Sequence, residues 1–323
     1  MYSCSELKNL EHHYIQVDSI HRIHVMQAGN RSGFPLLFIH GGPGSGVNTE
    51  FIDYIDNELF NIIMIDQRGA GLSEPPGEIK NNTLQLLIDD IEIVRTTFNI
   101  DQWLITGGSW GSLLAIAYAL KHRTRVIGLI LRGIFLGSEQ EINWLYSADG
   151  AAKFYPDVWK TFIEGVDSST IKDRIFSTYS SNLHSSNLET RQIAAYKWLS
   201  WASVSMGAAF ELKPYCHLTN KDIAKAKIMC HFLSNKCFIK GDDNLLKNIA
   251  QLADIPLWLV NGRQDIICPP SMAFNIANTH GNTQLILVDG VGHSPADPDV
   301  KQVLQNFLGS AAKCVVNNNH VLR

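Results

Sequence analysis

Short apolar segments recur along the chain, and each is bounded by Gly, Pro, Asn or Asp. Segments of this kind are typical of strands that are buried on both faces of a parallel sheet. They lie at 36–39, 62–65, 103–105, 126–131, 257–260 and 285–288. The pattern therefore predicts a sheet whose strands are spread over most of the chain.

A helical pattern separates the second and third segments. Apolar residues recur there at every third or fourth position, and Asn82 or Thr83 can cap the helix at its N-terminus. The apolar positions are Leu84, Leu87, Ile88, Ile91, Val94 and Phe98. Because strands and helices alternate, the sequence predicts an α/β fold with a doubly wound, mostly parallel sheet, in which ligands bind beyond the carboxyl ends of the strands.

The alternation stops over residues 138–252. Strand-like segments are absent there, and four of the seven tryptophans lie in this part of the chain, namely Trp144, Trp159, Trp198 and Trp201. We predict a helical cap inserted into the sheet domain, with most of its aromatic side chains packed in its own core. The predicted organisation is a core at 1–137, the cap at 138–252, the rest of the core at 253–311 and a polar, mobile tail at 312–323.

Composition narrows the classes of partner. The chain has 323 residues, 45% of them hydrophobic, and a net charge of −4 without blocks of like charge, so nucleic acid and anionic membranes are not expected to bind. No window approaches the roughly 18 apolar residues of a membrane helix, and the first residues lack a signal-peptide core. The 6 cysteines show no Cys-x-x-Cys spacing, which favours reduced thiols in a cytoplasmic protein without a metal site.

Residues 107–111 read Gly-Gly-Ser-Trp-Gly and lie between a predicted strand and an apolar helical stretch at 113–120. In this context Gly-x-Ser-x-Gly is the nucleophile elbow of α/β hydrolases, a sharp turn that accepts only small flanking residues and exposes the serine hydroxyl. The pentapeptide alone would more often be a loop. Its position predicts Ser109 as a nucleophile and excludes relatives with an aspartate nucleophile, such as epoxide hydrolases.

A serine nucleophile needs a base, and the base needs an orienting acid, in the chain order Ser, Asp or Glu, His in this fold. The last two predicted strands lead into Asp265 and His293 respectively. Asp289 is a local rival as the acid, but it lies too close to the end of its strand. We therefore predict a catalytic triad of Ser109, Asp265 and His293.

The predicted tetrahedral intermediate also needs hydrogen-bond donors for its oxyanion, and each donor contributes roughly 3–4 kcal/mol in known cases. A glycine-rich loop, His-Gly-Gly-Pro-Gly-Ser-Gly at 40–46, follows the first predicted strand. We assign the oxyanion hole to the backbone amides of Gly41 and Trp110, with Gly42 as the rival of Gly41. A phosphate-binding loop would need a Lys-Ser/Thr ending or a Gly-x-Gly-x-x-Gly frame, and neither is present.

These motifs resemble those of the prolyl iminopeptidases, serine aminopeptidases of the α/β-hydrolase fold that remove N-terminal proline. The resemblance covers residues 10–310, approximately. It implies the same triad and oxyanion hole, no cofactor, and a substrate pocket between sheet and cap. The matching stretches are His-Gly-Gly-Pro-Gly at 40–44, Asp-Gln-Arg-Gly-Ala-Gly-Leu-Ser at 66–73, Asn-Asn-Thr at 81–83, Asp-Ile-Glu at 90–92, Gly-Gly-Ser-Trp-Gly-Ser at 107–112, Leu-Arg-Gly-Ile-Phe at 131–135, Gly-Arg-Gln-Asp at 262–265 and Cys-Pro at 268–269.

The cap departs from the family pattern at two positions. The family holds the free amine of its substrate with two glutamates, one after the second Trp of a Trp-x-x-Trp-Glu stretch and one within Arg-Ile-Glu-Asn-His. Here Ala202 and Met229 occupy those positions. An ammonium that loses its paired anion must be desolvated at a cost of several kcal/mol, so the substitutions turn an amine clamp into an apolar surface.

Arg132, which lies near the two glutamates in the family, is retained. It would lack its partners unless Glu211 or another acid of the cap took their place. The residues expected to contact substrate are Gly42, Arg132, Trp201, Ala202 and Met229.

The expected activity is a serine hydrolase that releases an N-terminal proline or similar residue from a small peptide through an acyl-enzyme. The alternative is a related esterase, amidase or thioesterase whose small acyl substrate has no free amine. A third interpretation is a catalytically silent binding protein. It is disfavoured because every residue of the predicted triad is present.

Overall fold

The computed structural model describes residues 9–49, 53–166, 171–204, 215–241 and 244–321. Its strands are β1 (Glu11–Gln16), β2 (Arg22–Gly29), β3 (Phe34–Ile39), β4 (Phe60–Ile65), β5 (Trp103–Ser109), β6 (Val126–Ile134), β7 (Leu257–Gly262) and β8 (Thr283–Val288). Its helices are α1 (Leu84–Thr97), α2 (Trp110–Lys121), α3 (Glu139–Leu145), α4 (Pro156–Ile163), α5 (Ile171–Leu183), α6 (Leu188–Val204), α7 (Asn220–Ser234), α8 (Leu245–Asn248), α9 (Ser271–His280) and α10 (Pro298–Val321).

The strands form one eight-stranded sheet in the order β1-β2-β4-β3-β5-β6-β7-β8. The pairs from β4 to β8 across the sheet are parallel, whereas β1 with β2 and β2 with β4 are antiparallel. The predicted α/β fold with a mostly parallel sheet is confirmed. All six predicted apolar segments lie within observed strands.

The two antiparallel strands at the sheet edge were not predicted. β1 reads Glu-His-His-Tyr-Ile-Gln and is largely exposed, so it has no continuous apolar run. β2 contains the fully buried His24, whose ring nitrogen lies 2.8 Å from the Asp66 carboxylate. A buried histidine that is bound to a carboxylate still counts as a polar residue in the sequence. The apolar pattern that would predict these two strands is therefore weak.

Helices cover both faces of the sheet. Apolar side chains of α1 and α2 pack on one face, together with those of the helices between β6 and β7, and the other face packs against α10. The predicted helix after residue 83 begins as expected, because the Thr83 side chain accepts a hydrogen bond from the Leu86 amide. Asn82 is not the cap, since its side chain donates to the carbonyls of Arg68 and Glu78.

The chain remains helical beyond Ala312, where the sequence suggested a polar tail. Helix α10 continues to Val321. Ala311 and Ala312 are buried in the same apolar cluster as Val300, Leu304 and Phe307. Packing of this apolar face therefore carries the helix into the polar segment, which composition alone does not reveal.

Residues 138–252, called the helical insertion below, contain helices and no strand in the part that the structure describes. Aromatic rings hold these helices together, for example Phe162 stacked on Tyr179 with ring centroids 4.9 Å apart and Trp159 against Trp201 at 5.0 Å. The Trp144 indole donates to the Ile266 carbonyl and ties the insertion to the loop after β7. Among the described residues, no helix is long and apolar enough to cross a membrane.

Candidate active site

Ser109 lies at the turn between β5 and α2. Its backbone has φ of +57°, the left-handed region that most residues avoid and that nucleophile elbows use to lift the serine above the sheet. The flanking glycines are needed for space, because a Cβ on Gly111 would lie 2.4 Å from the Ile39 carbonyl oxygen. The close packing of β3, β5 and α2 explains the small residues around this serine.

His293 and Asp265 meet at the same edge of the sheet. The His293 Nδ1 atom lies 2.6 Å from Asp265 Oδ2, and both side chains are buried. The second carboxylate oxygen of Asp265 accepts a hydrogen bond from the Cys268 amide at 2.8 Å. The carboxylate is therefore fixed at both oxygens and orients the imidazole, as an acid must in a Ser-His-Asp arrangement.

Gly133 makes room for the imidazole. A Cβ at this position would lie 2.8 Å from His293 Cε1, and the backbone has φ of +51°. Asn261, at the end of β7, accepts a hydrogen bond from the Ile134 amide and donates to the Cys268 carbonyl. The sequence analysis missed both as functional positions, and the signal for Gly133 was its place beside Arg132 in a family motif.

Ser109 and His293 line one cavity of about 310 Å³, and no hydrogen bond between their side chains is formed in the described structure. Such contacts often become short only when substrate is bound. Asp289, the rival acid, instead pairs with Arg263 on the surface. Geometry thus brings together the three residues of the predicted triad and leaves the rival outside.

The two residues assigned to the oxyanion hole, Gly41 and Trp110, are neighbours of Ser109. A Cβ on Gly41 would be 3.6 Å from the Ser109 Cβ, so the Gly41 backbone directly faces the serine. Trp110 is the first residue of α2, where backbone N–H groups have no partner within the helix. The corresponding contacts of Gly42 are with Gly44 and Ser45 of its own loop, which favours Gly41 as the loop donor.

A hydrogen-bond network that the sequence analysis missed holds this glycine loop. The His40 Nε2 atom accepts from the Gln67 amide at 3.1 Å, so Nδ1 carries the proton and donates to the Gly41 carbonyl at 2.8 Å. Gln67 accepts from the Trp110 indole at 2.7 Å and donates to the His40 carbonyl. Burial lowers the pKa of His40, which keeps the ring neutral in this network.

The predicted substrate residues Gly42, Arg132, Trp201, Ala202 and Met229 all line the cavity. Trp201 and Ala202 are on α6, and Met229 is on α7. Glu211, which the sequence suggested as a replacement acid, lies outside the described residues. Ala202 and Met229 therefore lie on the part of the cavity wall that α6 and α7 contribute.

Arg132 belongs to the sheet side of the cavity. It pairs with Gly108 in the register of β5 and β6, and its Nη1 atom donates to the His293 carbonyl at 3.3 Å. Burial lowers the pKa of the guanidinium, and the charge of Asp265 opposes that change. The partner of Arg132 in the described structure is thus the loop that carries His293.

The Cys268 thiol is buried beside the site. Burial and the charge of Asp265 raise the pKa of this thiol well above its usual value, while the nearby Ser109 hydroxyl and Arg132 counter the rise. A thiol held in its protonated form is a poor nucleophile. Within the described residues, no group of three or more His, Cys, Asp or Glu side chains is arranged to hold a metal ion.

Comparison with known proteins agrees with this geometry. A family model described as alpha/beta hydrolase fold matches residues 35–299, so the fold and the site define an α/β hydrolase. Proline iminopeptidases from Arabidopsis thaliana and Neisseria gonorrhoeae are each 36% identical to the chain over 90% of its length and 77% and 93% of theirs. A protein of Leptolyngbya boryana named a probable proline iminopeptidase is 38% identical over 90% of both chains. The chain belongs to the proline iminopeptidase family, and it is a serine-type hydrolase.

Solved structures show the same fold at lower sequence identity. The proline iminopeptidase-related protein from Thermus thermophilus superposes with a TM-score of 0.59 at 20% identity, covering 94% of this chain and 97% of that chain. A 2-hydroxy-6-oxo-6-phenylhexa-2,4-dienoate hydrolase from Rhodococcus superposes with a TM-score of 0.58 at 18% identity, over 94% of this chain and 99% of that one. At these identities the likeness establishes the α/β-hydrolase fold.

Proposed function

We propose that the protein releases N-terminal proline from short peptides, with Ser109 as nucleophile, His293 as general base and acid, and Asp265 as the acid that orients His293. The observation that carries the proposal is the 2.6 Å contact between His293 and Asp265 at the edge of the cavity that Ser109 also lines. The names of the most similar relatives support proline as the residue released.

In the first half of the reaction, Ser109 Oγ attacks the carbonyl carbon of the prolyl residue, and its proton passes to His293 Nε2. Asp265 stabilises the imidazolium through Nδ1 without taking the proton. The oxyanion receives hydrogen bonds from the amides of Gly41 and Trp110. The C–N bond then breaks, and His293 returns the proton to the leaving amine, which gives a prolyl ester of Ser109.

In the second half, a water molecule attacks the prolyl ester while His293 takes one of its protons. The tetrahedral species collapses, the Ser109 Oγ atom leaves with the proton held by His293, and free proline departs. Atoms and protons balance with water as the only co-substrate, and the scheme requires no cofactor.

The helical insertion would act as a cap that selects the acyl group. Its contribution to the cavity wall includes Trp201, Ala202 and Met229, which offer an apolar surface to a pyrrolidine ring. Burying the ring's methylene groups there contributes about 0.8 kcal/mol each. Under this proposal, the insertion sets the residue preference and the sheet domain carries out the bond cleavage.

We further assign the enzyme to the cytoplasm. Cys216, Cys230, Cys237, Cys268 and Cys314 are free thiols in the structure, which supports a reducing compartment. The substrate under this proposal is a small peptide, and neither nucleic acid nor a membrane takes part.

A panel of chromogenic substrates tests the reaction class. Proline p-nitroanilide should be hydrolysed with a higher kcat/KM than alanine p-nitroanilide, and a p-nitrophenyl ester should show a burst that reports the acyl-enzyme. Peptides with N-terminal proline should release free proline. Hydrolysis of esters without cleavage of any prolyl amide would overturn the peptidase assignment and leave an esterase.

A further inference from the structure

The part of the cavity wall that the structure describes carries cationic side chains and no carboxylate. Among the described residues that line it, Arg132 and Lys225 are cationic and none is Asp or Glu. Asp265 lies behind His293 and is bound to it. The described wall therefore offers no carboxylate to a substrate amine, and it favours a substrate anion.

The two cations differ in their surroundings. Arg132 donates a hydrogen bond to the His293 carbonyl and interacts electrostatically with Asp265, so it has partners on the sheet side. Lys225 is on α7, four residues before Met229 and hence on the same face of the helix. The structure shows no hydrogen bond or ion pair for its ammonium group with any described residue.

Several observations locate the Lys225 ammonium. The Lys225 side chain lines the cavity, and its helix packs against the glycine loop, since a Cβ on Gly44 would lie 3.3 Å from the Lys225 carbonyl oxygen. Burial lowers the pKa of Lys225, and the charge of Asp222 opposes this. The Asp222 carboxylate is itself engaged by the amide and hydroxyl of Thr219 at the start of α7. The ammonium is thus partly desolvated and has no counter-ion among the described residues, a state that a bound anion would stabilise.

We propose that Lys225 binds a carboxylate of the substrate while the scissile carbonyl lies at Ser109. This inference rests on the proposed function and adds to it the charge of the preferred substrate. A cavity of about 310 Å³ is at the small end of the range for ligand pockets, so the ligand is short. The carboxylate comes either from the C-terminus of a dipeptide, on the leaving side, or from the acyl group itself.

Two matched pairs of substrates distinguish these sources. Prolyl-alanine and prolyl-alanine amide differ only in the carboxylate of the leaving group, and release of free proline reports both. The p-nitrophenyl esters of adipate and hexanoate differ in a carboxylate on the acyl group, and the adipate chain is too long for rapid attack by its own carboxylate. The wild-type protein should prefer the charged member of one pair by about tenfold in kcat/KM, as expected for one charge-assisted hydrogen bond. That pair identifies the source.

Variants connect the preference to Lys225. Lys225→Met should abolish the preference for the charged substrate, and Lys225→Arg should retain that preference. The readout is the ratio of kcat/KM values within a pair. Lys221→Met is the matched control, because it removes the same charge from an exposed position of α7. Circular dichroism verifies that each variant is folded.

The proposal is overturned if the wild-type protein prefers neither charged substrate, or if the preference survives in Lys225→Met. Failure of the peptidase assignment gives a different result, with no proline released from any substrate while the ester pair still reports the charge preference. The wild-type ratios need no variant, so the inference stays testable even if a substitution impairs folding.

Discussion

The two sides of the cavity hold their side chains in different ways. On the sheet side, His293, Asp265 and the Gly41 loop are fixed by hydrogen bonds to the backbone and to each other. On the side of the helical insertion, the wall consists largely of apolar and aromatic groups such as Trp201 and Met229, and Lys225 has no ion pair with a described residue there. Under the proposed function, the sheet side holds the reacting groups in place and the insertion selects the substrate.

The largest effect is expected at the nucleophile. Ser109→Ala should lower kcat for every substrate by about six orders of magnitude. It should also abolish labelling by a fluorophosphonate, because only an activated serine attacks that reagent. Mass spectrometry of the labelled protein measures the modification. Labelling of the variant at the wild-type rate would show that another residue is the nucleophile. The sheet side of the cavity would then not hold the reacting group.

The next effect concerns the acid on the same side. Asp265→Asn should lower kcat by about 10⁴-fold while the protein stays folded, because the amide favours the wrong tautomer of His293. Turnover of proline p-nitroanilide and thermal unfolding, measured together, separate the two roles. A variant that unfolds would show that Asp265 is a structural acid held by the Cys268 amide.

A smaller effect is expected on the side of the insertion. Since no described carboxylate lines the cavity, the wild-type protein should prefer proline p-nitroanilide over its N-acetyl form by less than tenfold, approximately. Ala202→Glu with Met229→Glu should raise this ratio about tenfold by providing anions for the amine.

The control for the double variant is Ala202→Gln with Met229→Gln, which adds similar bulk without charge. A strong preference for the free amine already present in the wild-type protein would contradict the expectation. It would mean that another acid binds the amine, with Glu211 as the first candidate, and the two sides of the cavity would then be less different than the structure suggests.

The smallest effect is expected at Cys268, which lies between the two sides. Cys268→Ala should keep kcat within about threefold, because the thiol takes no part in the mechanism. The raised pKa means that less thiolate is present near neutral pH than for a free cysteine, so alkylation at this position should be slow and should accelerate as the pH increases.

A bulky reagent at Cys268 should inhibit by crowding the cavity, and the Cys268→Ala variant should resist it. Complete loss of activity in Cys268→Ala would show that the thiol acts in the chemistry. Fast alkylation at neutral pH would contradict the burial of this side chain.

The sheet domain and a candidate triad could be predicted from the order of residues alone. Apolar segments predict strands because parallel strands are buried on both faces, and Ser109, Asp265 and His293 could be named because each follows such a strand. The pattern gives no such signal for β1, which is largely exposed, or for β2, which contains the buried His24. At the end of α10, burial of Ala311 and Ala312 accompanies a helix that the polar composition does not indicate.

The contacts that hold the site, and the charge of the cavity wall, could not be predicted in this way. The links from Gln67 to His40 and Trp110, and the room that Gly133 leaves for His293, join residues that are distant in the chain. In the sequence, nothing distinguishes Lys225 from other lysines on helices. In the fold, its side chain lines the cavity. Sequence patterns report local periodicity, whereas the partner of a side chain depends on which elements pack together.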